Sequence, residues 1–153
     1  MSSSAPQTER GHERPFVFQF NVFLPNRVGQ LSEILAFLAD QEIEIAGLSV
    51  VDATDWAVVR MIFTDPDKAR ELLTRRHIAF TETEVLAMIL EEPGTLRKAC
   101  DALLGAELNV QFAYPMLIRR ETKPVIVLRV DDHVLGAHVL TKHGFTVLDH
   151  EDV

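Results

Sequence analysis

Two short segments carry the residues best suited to chemistry. Asn26-Arg27-Val28-Gly29-Gln30-Leu31 and Glu91-Glu92-Pro93-Gly94-Thr95-Leu96 each set a glycine at the start of an apolar helical pattern, and the two glycines stand 65 positions apart. The first backbone N–H groups of a helix are unpaired and lie at the positive end of its dipole, so they suit an anion such as a carboxylate. A glycine there lets a ligand approach the backbone closely. The segments differ in charge. Asn26 and Arg27 can donate hydrogen bonds, whereas Glu91 and Glu92 would repel a carboxylate, so the carboxylate is expected at the first segment.

Catalytic chemistry finds little support. No serine has a histidine and an acid in a recognisable arrangement. Cys100 repeats the position of Leu35 on an apolar helix face and is expected to be an unreactive core residue. His133, His138 and His143 are five residues apart, a spacing that does not stack them on one helical face, and no metal site or cofactor is expected.

The elements that hold the two segments follow from periodicity. Residues 17–24 alternate as a half-buried strand, and Leu31, Ile34, Leu35 and Leu38 form one face of a helix ending near Gln41. Residues 43–52 and 56–64 are strand-forming runs separated by Ala53, Thr54 and Asp55, a hairpin. Asp65-Pro66 opens a second helix with Asp65 as N-cap and Ala69, Leu72 and Leu73 inward, and residues 80–90 return to strand.

This βαββαβ order then repeats. At the 65-residue offset Leu38 falls on Leu103 and Ile45 on Val110; later the offset is 67, pairing Asp65 with Asp132 and Leu73 with Leu140, so about two residues are inserted near residues 119–123. The expected fold is α+β: two ferredoxin-like βαββαβ units with antiparallel sheets and helices on one face, over 16–83 and 84–153, behind a disordered tail over 1–15. No Gly or Pro separates the units between residues 78 and 90, which implies rigid coupling.

Asn-x-x-Gly-x-Leu at Asn26 to Leu31, Glu-x-Pro-Gly-x-Leu at Glu91 to Leu96, and Glu44-Ile45 with Asn109-Val110 at the second strands resemble the ACT domain family. Thr83-Glu84-Val85-Leu86-Ala87 resembles the junction of stand-alone tandem ACT proteins of bacteria. The resemblance implies a regulatory protein that binds an amino acid or related metabolite where two domains meet. By that reading Asn26, Arg27, Val28, Gly29, Gln30 and Leu31 hold the carboxylate, and Asn109, Gln111, Phe112 and Tyr114 contact the rest of the ligand. A possible second site combines Glu92, Pro93, Gly94, Thr95 and Leu96 with Glu44, Ala46, Gly47 and Leu48. The alternative is a protein-interaction or assembly module whose ligand site has degenerated.

Composition bounds the partners. The chain has 153 residues, 47% hydrophobic and 25% charged, as in folded domains. A net charge of −8 with scattered basic residues argues against nucleic acid, and no apolar run reaches the roughly 18 residues that span a bilayer. One cysteine and a polar N-terminus without an apolar core suit the cytoplasm. Residues 58–63, 86–90 and 125–130 are apolar on both strand faces, while helices cover one, so the other repeat or a second chain must shield them. A homodimer is expected, and a separate metabolic enzyme is a candidate for the regulated partner.

Overall fold

The computed structural model describes residues 15–25 and 27–153. Asn26 and residues 1–14 of the expected tail lie outside the described residues. The chain divides into two compact units: an N-terminal one, Phe18–Thr83, and a C-terminal one, Glu84–Val153, which also takes residues 15–17. Pro15 is buried, and Phe16 packs on the C-terminal core with its ring edge-on to His133, centroids 4.7 Å apart.

In the N-terminal unit the chain runs through β1 (Val17–Pro25), α1 (Gln30–Asp40), β2 (Ile45–Asp52), β3 (Trp56–Phe63), α2 (Pro66–Arg75) and the first part of β4 (Phe80–Ile89). β3 pairs antiparallel with both β1 and β2, and β1 pairs in turn with β4, where Phe23 N–H donates to the Ala79 carbonyl at 2.9 Å. Phe20, Val22, Leu24, Val59, Met61 and Phe63 from the strands meet Ile34 and Leu38 of α1 and Ala69, Leu72 and Leu73 of α2 in one core. These are the side chains that the strand and helix periods turn the same way.

The C-terminal unit takes the rest of β4, then α3 (Thr95–Gly105), β5 (Val110–Arg120), β6 (Lys123–Val130), α4 (His133–Lys142) and β7 (Val147–Leu148), closing on a short 3-10 turn at His150–Asp152. β6 pairs antiparallel with β5 and β4, and β4 with β7. Leu86, Met88, Ile126, Leu128 and Val130 meet Ala99, Leu103, Ala137 and Leu140. The two inserted residues form the β5–β6 turn, where Glu121 and Thr122 take positive φ of 50° and 68°.

The expected α+β architecture with antiparallel strands and helices is present, but not as two clearly separate copies. β4 is one unbroken ten-residue strand shared by both units, because nothing between residues 80 and 89 interrupts its backbone. The last strand of the second repeat is only the two-residue β7. The runs at 58–63, 86–90 and 125–130 are largely buried within the single chain, including Ile62, Ala87 and Val127 at 0% exposure.

The four long helices among the described residues end alike. Glu42, His77, Glu107 and Gly144 adopt left-handed φ between 57° and 86° just past the helices, and the next residue donates back to the carbonyl five positions earlier, as Ile43 N–H does to Leu38 at 2.9 Å. That apolar next residue, Ile43, Ile78, Leu108 or Phe145, turns into the core, which fixes the exit of each helix.

Candidate functional site

The helix beginnings fall into two kinds. α2 and α4 are capped by their own chain: Asp65 accepts from Lys68 N–H at 3.1 Å, and Asp132 from Leu135 N–H at 3.0 Å. α1 and α3 begin instead at Gly29 and Gly94, with φ, ψ of 89°, −9° and 91°, −9°, and among the described residues no side chain caps either first turn. A carboxylate thus occupies the amides of α2 and α4, while those of α1 and α3 lack one. A Cβ added at either glycine would meet nothing within 4 Å, so both face open space.

Around Gly29, Arg27 N–H donates to the Pro25 carbonyl at 2.9 Å and Gln30 N–H to that of Arg27 at 3.3 Å, which fixes the turn. Val28 is 99% exposed, and Leu31 packs against the core. Arg27 and Gln30 do not stand as free donors. Both reach Glu33 Oε2 in the first turn of α1, at 3.4 and 3.3 Å. Glu33 lies beyond the six-residue motif, and it places an acid at the end of the helix that favours one.

The second segment is built on the same backbone with the charges exchanged. Glu92, the repeat of Arg27, pairs with Lys98, the repeat of Glu33, at 3.7 Å. Glu91 accepts from Lys123 and, at 3.3 Å, from the Thr146 hydroxyl. The Lys123 ammonium holds the Glu91 carboxyl below its ordinary range, and Glu91 in turn raises the lysine. Thr95 donates from Oγ1 to the Glu92 carbonyl at 2.8 Å and accepts from Glu92 N–H at 3.1 Å. Both acids expected to repel a carboxylate thus have lysine partners, and the segment is less acidic than its sequence reads. A cleft of about 430 Å³ lies here, lined by Leu90, Pro93, Leu96, Thr122 and Lys123 among others.

Both second strands carry a bulge at the same repeat position, between Ile45 and Gly47 in β2 and between Val110 and Phe112 in β5. In β5, Gln111 is exposed on the bulge, Tyr114 is buried, and the rings of Phe112 and Tyr114 stack at 6.2 Å and 20°. Asn109 spends its backbone on Asp131, just past β6: its N–H donates to Asp131 Oδ1 at 3.1 Å and its carbonyl accepts from Asp131 N–H. Just before β2, Glu44 is exposed and its carbonyl accepts from Thr64 N–H at 3.2 Å. Ala46 and Gly47 are buried and Leu48 half-buried; a Cβ on Gly47 would come within 3.3 Å of Ile62. Gln111, Phe112 and Tyr114 thus lie on β5 with Asn109 just before it, Ala46, Gly47 and Leu48 lie on β2 with Glu44 just before it, and Asn26 lies outside the described residues.

Cys100 is half-buried rather than fully buried, as is Leu35 at the matching position, because both sit at the edge of the apolar helix face. His133 pairs with Glu84 at 3.0 Å, and His143 Nδ1 lies 2.8 Å from the Val139 carbonyl. Among the described residues no group of three His, Cys, Asp or Glu side chains is placed to hold a metal, and no helix is long and apolar enough to cross a membrane.

The family described as ACT domain pair matches residues 16–153. Among solved structures, protein BT0572 from Bacteroides thetaiotaomicron is similar at 26% identity and a TM-score of 0.81, covering 90% of this chain and 94% of that one. The ligand-free regulatory subunit of aspartate kinase from Thermus thermophilus is similar at 10% identity and a TM-score of 0.54, covering 84% and 93%, a likeness of fold. Among curated proteins none matches.

Proposed function

The chain belongs to the ACT domain pair family, and from that premise we propose that it is a non-catalytic regulatory protein, one ACT domain over 16–83 and a second over 84–153, that binds a free amino acid or related small metabolite. The ligand carboxylate lies on the first-turn amides of α1 at Gly29, with Asn26, Arg27, Val28, Gln30 and Leu31 around it. The observation that carries this reading is the contrast among helix beginnings: Asp65 and Asp132 cap α2 and α4, whereas α1 and α3 start at left-handed glycines with no capping side chain among the described residues. An external carboxylate would do for α1 what Asp65 does for α2. Asn109, Gln111, Phe112 and Tyr114 stay in the reading as ligand contacts, to be tested by their own substitutions. The segment from Glu92 to Leu96, with Glu44, Ala46, Gly47 and Leu48, stays as a second, weaker site.

The regulated partner in this reading is a separate metabolic enzyme in the cytoplasm, as the name of the aspartate kinase regulatory subunit suggests by analogy of fold alone. A homodimer remains part of the proposal; a solution mass of one 17.2 kDa chain at micromolar concentration excludes it.

Thermal melting with each common amino acid tests the ligand. A compound at about 100 times its Kd adds about 2.7 kcal/mol to stability, a shift of several degrees for a chain of this size. If no amino acid raises the melting temperature, the interaction-module reading takes over. Two observations favour that second reading: Glu33 already engages Arg27 and Gln30, and Val50, Val51 and Trp56 at the β2–β3 turn are 48%, 36% and 52% exposed.

A further inference from the structure

The N-terminal unit has a groove apart from the Gly29 turn. It is lined by Glu33, Ile34 and Phe37 of α1, by Arg76 just past the end of α2, and by Ile78 on the way to β4, and it holds about 250 Å³. Ile34 is buried, and Phe37 and Ile78 are half-buried, so its floor is apolar; Glu33 and Arg76 are exposed at its sides. The Arg76 guanidinium lies over the Phe37 ring, 4.5 Å from its centroid. Stacking of this kind holds the planar group in place without using up its N–H donors. Glu33 takes its bonds from Arg27 and Gln30 on Oε2, and it forms no ion pair with Arg76.

A fixed cation, a carboxylate and an apolar floor between them match one class of small molecule. We propose that this groove is a second ligand site that takes a zwitterionic amino acid with an apolar side chain. The ligand carboxylate meets the Arg76 fork, its ammonium meets Glu33, and its side chain lies on Ile34, Phe37 and Ile78. The volume is at the small end of ligand pockets, in keeping with an occupant smaller than a drug molecule. The C-terminal repeat does not preserve the arrangement: Lys98, Ala102 and His143 stand where Glu33, Phe37 and Arg76 do, which removes both the carboxylate and the aromatic platform. One groove per chain follows.

Glu33 belongs to both the groove and the Gly29 turn. An ammonium drawn to Glu33 competes with Arg27 and Gln30 for it and frees those donors for a carboxylate at Gly29. Occupancy of the groove therefore favours binding at the turn, and by linkage the reverse holds. This coupling rests on the function proposed above; the groove itself does not.

The test is an amide NMR titration of the full chain with leucine, with 4-methylpentanoic acid, which lacks the ammonium, and with isoamylamine, which lacks the carboxylate. Leucine should shift the Phe37, Arg76 and Ile78 amides saturably, and each analogue should bind there at least about tenfold more weakly, the factor for losing one charge-assisted contact. Arg76→Ala should abolish these shifts, and Arg76→Lys should recover them only in part, since lysine keeps the charge but not the stacked fork. Arg76 is exposed, so neither variant threatens the fold. Groove amides that do not move with leucine, or that move equally in Arg76→Ala, overturn the proposal. Shifts confined to Gly29, Leu31 and Ser32 overturn the groove while supporting the Gly29 reading; shifts confined to the groove do the opposite.

Discussion

The Gly29 and Gly94 turns are nearly superimposable in backbone angle and opposite in charge. Their φ, ψ values agree within a few degrees, yet Arg27 pairs with Glu33 in one and Glu92 with Lys98 in the other, each residue the repeat of its counterpart with the sign reversed. Neither turn carries a net charge from this pair. What differs is where each sign sits: in α1 the acid is on the first helical turn and the base precedes the glycine, and in α3 the order is inverted. An acid in the first turn favours its own helix, whereas a lysine there costs the helix a little. Glycine geometry is thus common to the repeats, and selectivity lies in residues outside the shared motif.

The largest effect expected from breaking this comparison is on binding. Gly29→Asp places a carboxylate on the amides proposed for the ligand and should weaken binding at least about 100-fold. Gly94→Asp should leave it within a few-fold. Both variants incur the same left-handed backbone cost of about 1–2 kcal/mol, and a Cβ at either position meets nothing within 4 Å, so stability losses should largely cancel in the comparison. Calorimetric titration of the two folded variants with an amino acid that stabilises the wild type decides it. Equal, unimpaired binding would move the ligand away from Gly29.

A smaller contrast separates the second helices. Ala69 in α2 and Gly136 in α4 are repeat partners, both buried. A Cβ on Gly136 would lie 2.9 Å from Val130 Cγ2 and 3.1 Å from Leu86 Cδ1, so α4 sits closer to its sheet than alanine allows. Ala69→Gly should cost about 2 kcal/mol, half from helix propensity and half from the lost buried methyl. Gly136→Ala should gain the propensity and still lose about 1 kcal/mol to overpacking. Urea denaturation of both reads the difference; a stabilised Gly136→Ala would show that the neighbours yield.

The caps themselves come next. Asp65→Ala and Asp132→Ala each remove an acceptor from an N3 amide and should cost about 1 kcal/mol apiece, nearly equally, because the bonds they lose are 3.1 and 3.0 Å. Unequal losses in thermal denaturation would mean that one helix has a further partner for its first turn.

Much of this architecture was legible in the sequence. The strand and helix periods lie within a residue or two of the observed elements, and Asp65-Pro66 announces its cap because side-chain type and backbone role coincide there. The helix exits were not legible: left-handed positions held by Glu42, His77 and Glu107 carry no glycine to mark them, and it is the apolar residue after each that stabilises the turn. The shared β4 was legible, since residues 80–90 read as one strand with no Gly or Pro to separate the units. In the candidate site the glycines stood out and their ion-pair partners did not. Glu33 and Lys98 lie four residues after each glycine, a helical turn away, where a charge reads as a solvated surface. Lys123 was further from reach, because it meets Glu91 only through pairing of strands 32 positions apart.

That last pair has no counterpart among the described residues of the first turn and offers the mildest test. Glu91 is held below its ordinary value of 4.5 and Lys123 above 10.5, each mainly by its hydrogen bond to the other. A carboxylate lowered on folding contributes stability above its unfolded pKa and loses it as pH falls through the folded one. A lysine raised on folding contributes below its unfolded pKa and loses it as pH rises through the folded one. The pair therefore acts across the whole range between 4.5 and 10.5 and fades at both ends. Both groups are exposed, and salt screens exposed pairs, so the contribution should be small and should shrink further in high salt. Lys123→Met should destabilise the C-terminal unit slightly and evenly between about pH 6 and 9, and the deficit should shrink as pH falls through the lowered folded value of Glu91. Melting curves at three pH values in low and high salt are sufficient. A deficit that persists undiminished at pH 3 would show that Lys123 acts through its aliphatic stem against the cleft by Gly94, and not through its charge on Glu91.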